Sequence, residues 1–359
     1  MESGHKRIPS LDGLRAVSIV MVVAVHALTS FSVRHPVPLI YKAIFNGMLG
    51  VQIFFVISGF LITSLLLEEE RGRGSISLTR FYIRRAFRIL PPLYLYIGVI
   101  VMIGLAGKIA LSRKDILSVI FFFHNYSRGP VMWPFGHLWS ICVEEQFYLA
   151  WPVVLRASLG RGGYVGRMRV AIIPIAVLVL SPPLRSILVL QHKHPLLINI
   201  GLKLDYDFLM FGCLIALLQG TPRFEAIYRK ATRVWWIPPV AMFLLGALSL
   251  RFQSRFDLPV GYTVTGASIA AFVLWCTRNP MTIAGKILNW EPAIHIGVLS
   301  YSIYLWQTLF VRDLNYQVFG RFLWIGSFPY NWIAILLVAW CSYFLVERPA
   351  LRLRARLAM

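Results

Sequence analysis

Charged residues are scarce in this 359-residue chain, and acidic residues are the scarcer kind. Asp, Glu, Lys and Arg make up 14% of the sequence and apolar residues 58%, whereas a typical soluble domain has about 25% charged residues. This composition excludes a disordered chain. Only 15 residues are acidic and 36 are basic, so the formal net charge is +21. We predict no nucleic-acid partner, and ask instead whether the positive charge lies on one side of a membrane.

Cysteine is also rare, and its distribution excludes a disulfide scaffold. The four residues lie in or beside apolar runs, so we expect them to be small buried hydrophobic groups. They are Cys142, Cys213, Cys276 and Cys341. The sequence also lacks metal-ligand spacing, a phosphate-cradling glycine loop and a nucleophile elbow. We therefore predict no metal site.

Long apolar runs are the feature that the chain has in abundance. A spanning helix needs about 20 mostly apolar residues, and ten stretches approach that length. The segment from Ile116 to Phe123 is too short and is predicted to be re-entrant or interfacial. The pattern predicts an all-α, polytopic membrane protein with about ten transmembrane helices. The stretches are 14–31, 44–67, 89–107, 138–155, 170–190, 202–219, 234–250, 259–277, 293–312 and 328–346.

The distribution of basic residues predicts the orientation of these helices. If the N-terminus lies inside, the inner segments carry 23 of the 36 Lys and Arg residues. This bias agrees with the positive-inside rule and predicts that both termini are cytoplasmic. We expect residues 1–359 to form a single membrane domain, with no soluble domain and no cleavable signal peptide.

The first apolar helix carries two ionisable residues. Arg15 and His26 are eleven residues apart, which is three helical turns plus about 20°, so they share a face. The rise between them is about 16 Å, which places His26 near mid-membrane if Arg15 lies at the inner interface. Neutral imidazole at this depth can act as a proton acceptor. The alternative is that His26 bonds a neighbouring helix and Arg15 is a topology anchor.

A basic segment follows the second span. Arg85 and Arg88 are three residues apart and share a face if residues 81–90 are helical. Guanidinium groups in such an arrangement suit phosphate, although basic clusters beside membrane helices also bind anionic headgroups. Pro91 and Pro92 predict a break or kink at the end of this helix.

Polar residues also lie where the fourth span begins. Glu144 and Glu145 are costly in an apolar helix unless they face a wet cavity or a cation. His137 is seven residues before Glu144, so the two share a face, and Ser140 lies between them. A structural hydrogen-bond cluster is the alternative. Tyr301 brings a hydroxyl into the ninth span, where helix–helix bonding is again an alternative role.

Taken together, these segments resemble the acyltransferase 3 family of integral-membrane O-acyltransferases. The resemblance runs from about Pro9 to Pro349, nearly the whole chain, and its specificity comes from the order and spacing of the motifs. These motifs are SLDGLRAVSIVMVVAVH, GVQIFFVISGFLIT, FYIRRAFRILPPLY, HLWSICVEEQFYL, SYSIYLW and VERP.

The resemblance implies ten helices in a bacterial plasma or inner membrane and an acyltransferase activity (EC 2.3.1.-). The donor would be a cytoplasmic acyl-CoA, acetyl-CoA by default, and the acceptor a hydroxyl of a sugar or glycoconjugate. No permanently bound cofactor is implied. The predicted catalytic residues are His26, Arg15, Glu144 and Glu145; the predicted donor-binding residues are Arg84, Arg85 and Arg88; and the predicted acceptor-binding residues are His137, Trp139, Ser140 and Tyr301.

Two positions depart from the family pattern. Gln52 stands where many members carry Asp, and Gln307 stands where many carry His. We expect neither residue to touch the histidine–arginine pair, and both leave acceptor handling open. The sequence also contains no appended esterase-like domain, so no second activity is expected. His26 could be a base or a transient acyl carrier, and the oligomeric state is open. The alternative function is a glycolipid transporter or flippase that uses His26 and Glu144 as a proton relay.

Overall fold

The fold is known from a computed structural model that describes most of the chain. The described residues are 8–32, 38–44, 46–127, 134–159, 163–190, 206–252, 260–311 and 318–357. Small parts of the predicted apolar stretches, at residues 45, 202–205, 259 and 312, lie outside this set, as do residues 128–133 of the long loop.

Helices occupy the described part of every predicted apolar stretch, and the described residues contain no strand. The α-helices are α1 (Leu11–Ser32), α2 (Leu39–Ile44), α3 (Gly47–Arg73), α4 (Leu78–Leu105), α5 (Arg113–Ile120), α6 (Trp139–Leu159), α7 (Gly163–Leu190), α8 (Tyr206–Leu218), α9 (Pro222–Ala231), α10 (Ile237–Phe252), α11 (Tyr262–Arg278), α12 (Ile283–Leu288), α13 (Glu291–Trp306), α14 (Thr308–Val311), α15 (Tyr330–Ser342) and α16 (Arg348–Leu357). A π-helical segment, Tyr343–Glu347, joins the last two.

Five of these helical segments are long and apolar enough to cross a membrane. A bent pair, which includes α9 and α10 and turns by 73°, adds a sixth if it is one span. The other predicted spans correspond to shorter helices, such as the 13-residue α8, or to α6, which contains two glutamates and an arginine. The five are Leu11–Leu28, Gly47–Arg73, Leu78–Leu105, Val165–Ile187 and Tyr330–Arg356.

The outward faces of the helices are apolar, as a lipid environment requires. On α7, Val179 and Leu180 are 63% and 65% exposed, and on α4 Leu105 is 77% exposed. Exposure of large aliphatic side chains to water is unfavourable, whereas their exposure to hydrocarbon carries no such cost. The all-helical architecture and these surfaces are those of a multi-pass membrane protein. The number of ten spans and their orientation stay predictions.

The chain divides into two compact units that are not continuous in sequence. The first contains residues 1–21, 39–68 and 158–300, and the second contains residues 22–38, 69–157 and 301–359. Four helices therefore contribute to both units, namely α1, α3, α6 and α13.

In the first unit, α3 and α8 approach closely at two glycines. A Cβ on Gly59 would overlap the carbonyl oxygen of Leu209, and a Cβ on Gly212 would overlap the backbone of Val56 and Phe60. Small residues allow membrane helices to pack backbone against backbone, which maximises van der Waals contact where lipid supplies no hydrophobic driving force.

The beginning of α1 is fixed within the first unit by polar contacts. The backbone N–H of Ser10 donates to Oδ1 of Asn289 at 2.9 Å, and Nδ2 of Asn289 donates to the Ser10 hydroxyl at 2.9 Å. Gly297 of α13 also has no room for a Cβ because the Asp12 carbonyl lies against it. These contacts fix the first two turns of α1, which carry Arg15, within the first unit.

In the second unit, α4 differs from the sequence prediction. Pro91 and Pro92 do not break the helix, which continues from Leu78 to Leu105. The prolines remove the backbone donors that would serve the carbonyls of Phe87 and Arg88. Packing offsets this loss, since Pro92 and Leu93 are buried, and Tyr301 adds a hydrogen bond to the neighbouring carbonyl of Ile89 at 2.9 Å. Neighbouring side chains commonly accommodate proline in membrane helices in this way.

Two smaller expectations have mixed outcomes. Cys142, Cys213 and Cys276 are buried as predicted, but Cys341 is exposed, because it lies on the outward face of α15. The short segment from Ile116 to Phe123 contains the end of the eight-residue helix α5 and a turn, which is too little helix to span a bilayer.

Candidate active site

The second unit contains ten of the eleven residues predicted for the site. They come from distant parts of the sequence: His26 from α1, the arginines from α4, the carboxylates from α6 and Tyr301 from α13. The exception is Arg15, which lies in the first unit and forms an ion pair with Asp12 one turn earlier, at 3.5 Å. The fold therefore gathers most of the predicted residues in one compact unit.

His26 lies in the C-terminal half of α1, and its side chain is half-buried. Its Nδ1 atom is 3.0 Å from Oε1 of Gln307. Gln307 is fully buried and occupies the single residue between α13 and α14. Its carbonyl accepts from the N–H groups of Phe310 and Val311, at 2.9 and 3.2 Å. This turn of backbone holds the amide against the imidazole.

The expectation that Gln307 does not touch the histidine–arginine pair is wrong, because its side-chain amide contacts His26. The two residues are 281 positions apart. The sequence shows Gln307 only as a polar residue directly after an apolar helix. This position does not reveal which side chain Gln307 contacts in the fold.

The three arginines of α4 that are predicted to bind the donor differ in their contacts. Arg84 forms an ion pair with Glu69 at 3.0 Å. The guanidinium of Arg85 lies over the ring of Tyr148, 4.6 Å from its centroid, and within electrostatic reach of Arg88. The ion pair already engages Arg84, so Arg85 and Arg88 are the better candidates for an anionic ligand.

The two glutamates of α6 interact electrostatically with Arg85. Both are within electrostatic reach of its guanidinium, and Glu144 accepts from the Tyr148 hydroxyl at 3.3 Å. Oε1 of Glu145 is buried and has no hydrogen-bond partner among the described residues. Tyr301 is also within electrostatic reach of both glutamates and of Arg88. In a half-buried cluster of this kind, the opposite charges of the carboxylates and guanidinium groups compensate one another and reduce the cost of placing them in an apolar helix.

His137 and Ser140 belong to a second hydrogen-bonded group at the beginning of α6. The Tyr304 hydroxyl donates to the backbone carbonyl of His137 and lies 2.6 Å from the Ser140 hydroxyl. Nε2 of His137 donates to the Leu305 carbonyl at 3.2 Å. Trp139, the first residue of α6, is half-buried beside them. These bonds join α6 to the end of α13 and so fix the backbone that carries Gln307.

Comparison with known proteins identifies the family. A family model described as an acyltransferase domain matches residues 8–347. The chain belongs to this acyltransferase family. Every residue of the candidate site, Gln307 included, lies inside the matched region, so the prediction made from the six sequence motifs is confirmed at the level of the family.

Several curated acyltransferases are similar to the chain. A peptidoglycan O-acetyltransferase of Listeria monocytogenes is 30% identical over 84% of this chain and 49% of its own length. A putative peptidoglycan O-acetyltransferase of Bacillus subtilis is 28% identical over 96% and 55%. A putative O-acetyltransferase of Staphylococcus aureus is 28% identical over 88% and 52%. The chain spans about half the length of these relatives. No solved structure matches it.

Proposed function

We propose that this chain is a membrane O-acetyltransferase that moves an acetyl group from cytoplasmic acetyl-CoA to a sugar hydroxyl of peptidoglycan or a related glycan. The observation that carries the proposal is the family match, which extends from residue 8 to residue 347 and includes the whole candidate site. The acceptor follows from relatives that are named peptidoglycan O-acetyltransferases.

The proposed topology is a single domain, residues 1–359, with ten spans and both termini in the cytoplasm of a bacterial cell. The bias of basic residues to alternate segments supports this arrangement. Helices shorter than a full span, such as α8 and α13, can still cross where the surrounding helices bury their ends or where flanking residues are drawn to the interface.

In the proposed mechanism, Arg85 and Arg88 bind the phosphates of CoA at the cytoplasmic face, with Arg84 as a third basic group. Guanidinium groups form charge-assisted hydrogen bonds with phosphate oxygens. The pantetheine arm then extends between the helices towards His26. Arg15 lies eleven residues before His26 on α1 and stays a predicted catalytic residue.

The acceptor enters from the opposite face, where His137, Trp139 and Ser140 would contact the sugar. Tyr301 would meet the acceptor deeper in the protein, because its hydroxyl bonds the carbonyl of Ile89, next to Arg88. His26 removes the proton from the acceptor hydroxyl, and the hydroxyl oxygen attacks the thioester carbonyl. Glu144 and Glu145 balance the charge of Arg85 when no phosphate is bound. A transient acetyl-histidine is a second form of the same reaction.

Transfer of label tests the proposal directly. Membranes containing the chain are incubated with acetyl-CoA labelled in the acetyl group and with peptidoglycan fragments. We expect alkali-labile label on the glycan in proportion to the amount of chain. If the glycan remains unlabelled while the same membranes move a glycolipid between leaflets, the chain is a flippase and the proposal is wrong.

Site-directed labelling tests the topology. Cys341 is the exposed cysteine of the described residues, so it is first replaced by serine. Single cysteines are then introduced at Arg73, which is exposed, and at Ser127, which is half-buried. We expect an impermeant maleimide to modify position 73 only from the cytoplasm and position 127 only from outside. Labelling of position 127 from the cytoplasm would place both substrates' sites on one side and contradict the transmembrane route.

A further inference from the structure

The contact between His26 and Gln307 places a primary amide, which can both accept and donate hydrogen bonds, beside the proposed base. A primary amide has one acceptor oxygen and two donor hydrogens on nitrogen. In the structure the oxygen faces Nδ1 of His26 at 3.0 Å. An amide oxygen only accepts, so this geometry requires the proton of the neutral imidazole to be on Nδ1. The basic lone pair of His26 then belongs to Nε2.

The nitrogen of the Gln307 amide, Nε2, is buried and makes no hydrogen bond to the residues that the structure describes. The side chain as a whole is 0% exposed. A buried donor that is left unsatisfied is unfavourable, because it has lost its hydrogen bonds to water. Groups of this kind require an explanation, and a catalytic role is one of them.

We propose that Gln307 is a catalytic residue of the acyl transfer, which presupposes the function proposed above. Its Oε1 atom holds His26 in the Nδ1–H form, and its Nε2–H donates a hydrogen bond to the carbonyl oxygen of the acetyl group. The ligand of this amide is therefore an acyl thioester, bound with its carbonyl next to the imidazole.

The proposed reaction transfers the acetyl group from the sulfur of CoA to the oxygen of the acceptor. Nε2 of His26 takes the proton of the acceptor hydroxyl while the hydroxyl oxygen forms a bond to the thioester carbon. Negative charge develops on the carbonyl oxygen, and the Gln307 amide stabilises it. The carbon–sulfur bond then breaks, the CoA thiolate takes the proton from His26, and the acetyl ester and free CoA are released. A donor that is already in place when charge develops lowers the barrier without reorganisation.

Two substitutions test the proposal, one that removes only the donor of the Gln307 amide and one that removes both its donor and its acceptor. Gln307→Glu keeps the shape and an acceptor oxygen for His26 but removes the amide donor. Gln307→Met keeps approximate size and removes both functions. Gln219→Glu is the matched control, because it makes the same chemical change in the first unit. The readouts are kcat and KM for acetyl-CoA, per molecule of reconstituted protein, and the thermal unfolding midpoint.

We expect Gln307→Glu to lower kcat about 100-fold with less than a threefold change in KM, since loss of one oxyanion donor costs about 10²- to 10³-fold in kcat. Gln307→Met should be at least as slow, and Gln219→Glu should match the wild type. If Gln307→Glu turns over within threefold of the wild type, the proposal is overturned. The same holds if Gln307→Met only lowers the unfolding midpoint while folded molecules retain kcat. A wild-type protein that transfers no acetyl group would instead defeat the function proposed above.

Discussion

Substitution of His26 by alanine is expected to reduce acetyl transfer by about 1,000-fold while the protein still inserts and folds. A positioned general base contributes about 10²- to 10⁴-fold to a rate. His26 is half-buried on α1 and has a buried amide on its Nδ1 side. The measurement is initial rate of labelled product per molecule of protein in purified membranes.

His295→Ala is the matched control for this variant. His295 is on α13, exposed, with Nδ1 on the Glu291 carbonyl at 2.8 Å within its own helix. We expect this variant to transfer acetyl at the wild-type rate. A normal yield from His26→Ala at matched protein amount would remove His26 from the mechanism, in either its base or its acyl-carrier form.

The double substitution Arg85→Ala with Arg88→Ala should produce the second large effect, on the use of acetyl-CoA. Each charge-assisted hydrogen bond is worth about 1.5–3 kcal/mol. Losing two such bonds therefore lowers the apparent affinity for acetyl-CoA by about 10²- to 10⁴-fold. The change should appear in KM, because the phosphates lie far from the reacting carbonyl and are bound equally in ground state and transition state.

Two comparisons separate phosphate binding from a role in folding. Arg71→Ala with Arg73→Ala removes the same charge from exposed positions at the end of α3 and should change KM less than threefold. The double variant of Arg85 and Arg88 should lose less apparent affinity for a donor that lacks the 3′-phosphate than for acetyl-CoA. Equal losses for both donors would show that the pair supports lipid contact or the fold of α4.

The helical architecture was accessible from sequence because its signal is local. Apolar runs of helical length predicted the positions of α1, α3, α4 and α7, and the structure contains a helix at each. The continuity of α4 could not be predicted from the sequence, because it depends on tertiary packing around Pro91 and Pro92, such as the burial of Pro92 and Leu93.

The sequence predicted individual residues of the site but not how they come together. Helical spacing placed Arg85 and Arg88 on one face, and the cost of burying charge singled out His26 and Glu145. The contact of His26 with Gln307 and the bonds of Tyr304 to the beginning of α6 depend on long-range packing. No spacing rule relates residues that far apart, so these contacts required the structure.

The central claim is that this chain carries an acetyl group from CoA on one side of a membrane to a glycan on the other, past His26. Proteoliposomes that contain only the purified chain test it most directly, with labelled acetyl-CoA at the face bearing Arg85 and a soluble peptidoglycan fragment at the opposite face. We predict labelled ester on the fragment with the wild-type chain and about 1,000-fold less with His26→Ala. Product that forms only when acetyl-CoA and fragment share one side, or that forms equally with His26→Ala, would contradict the account.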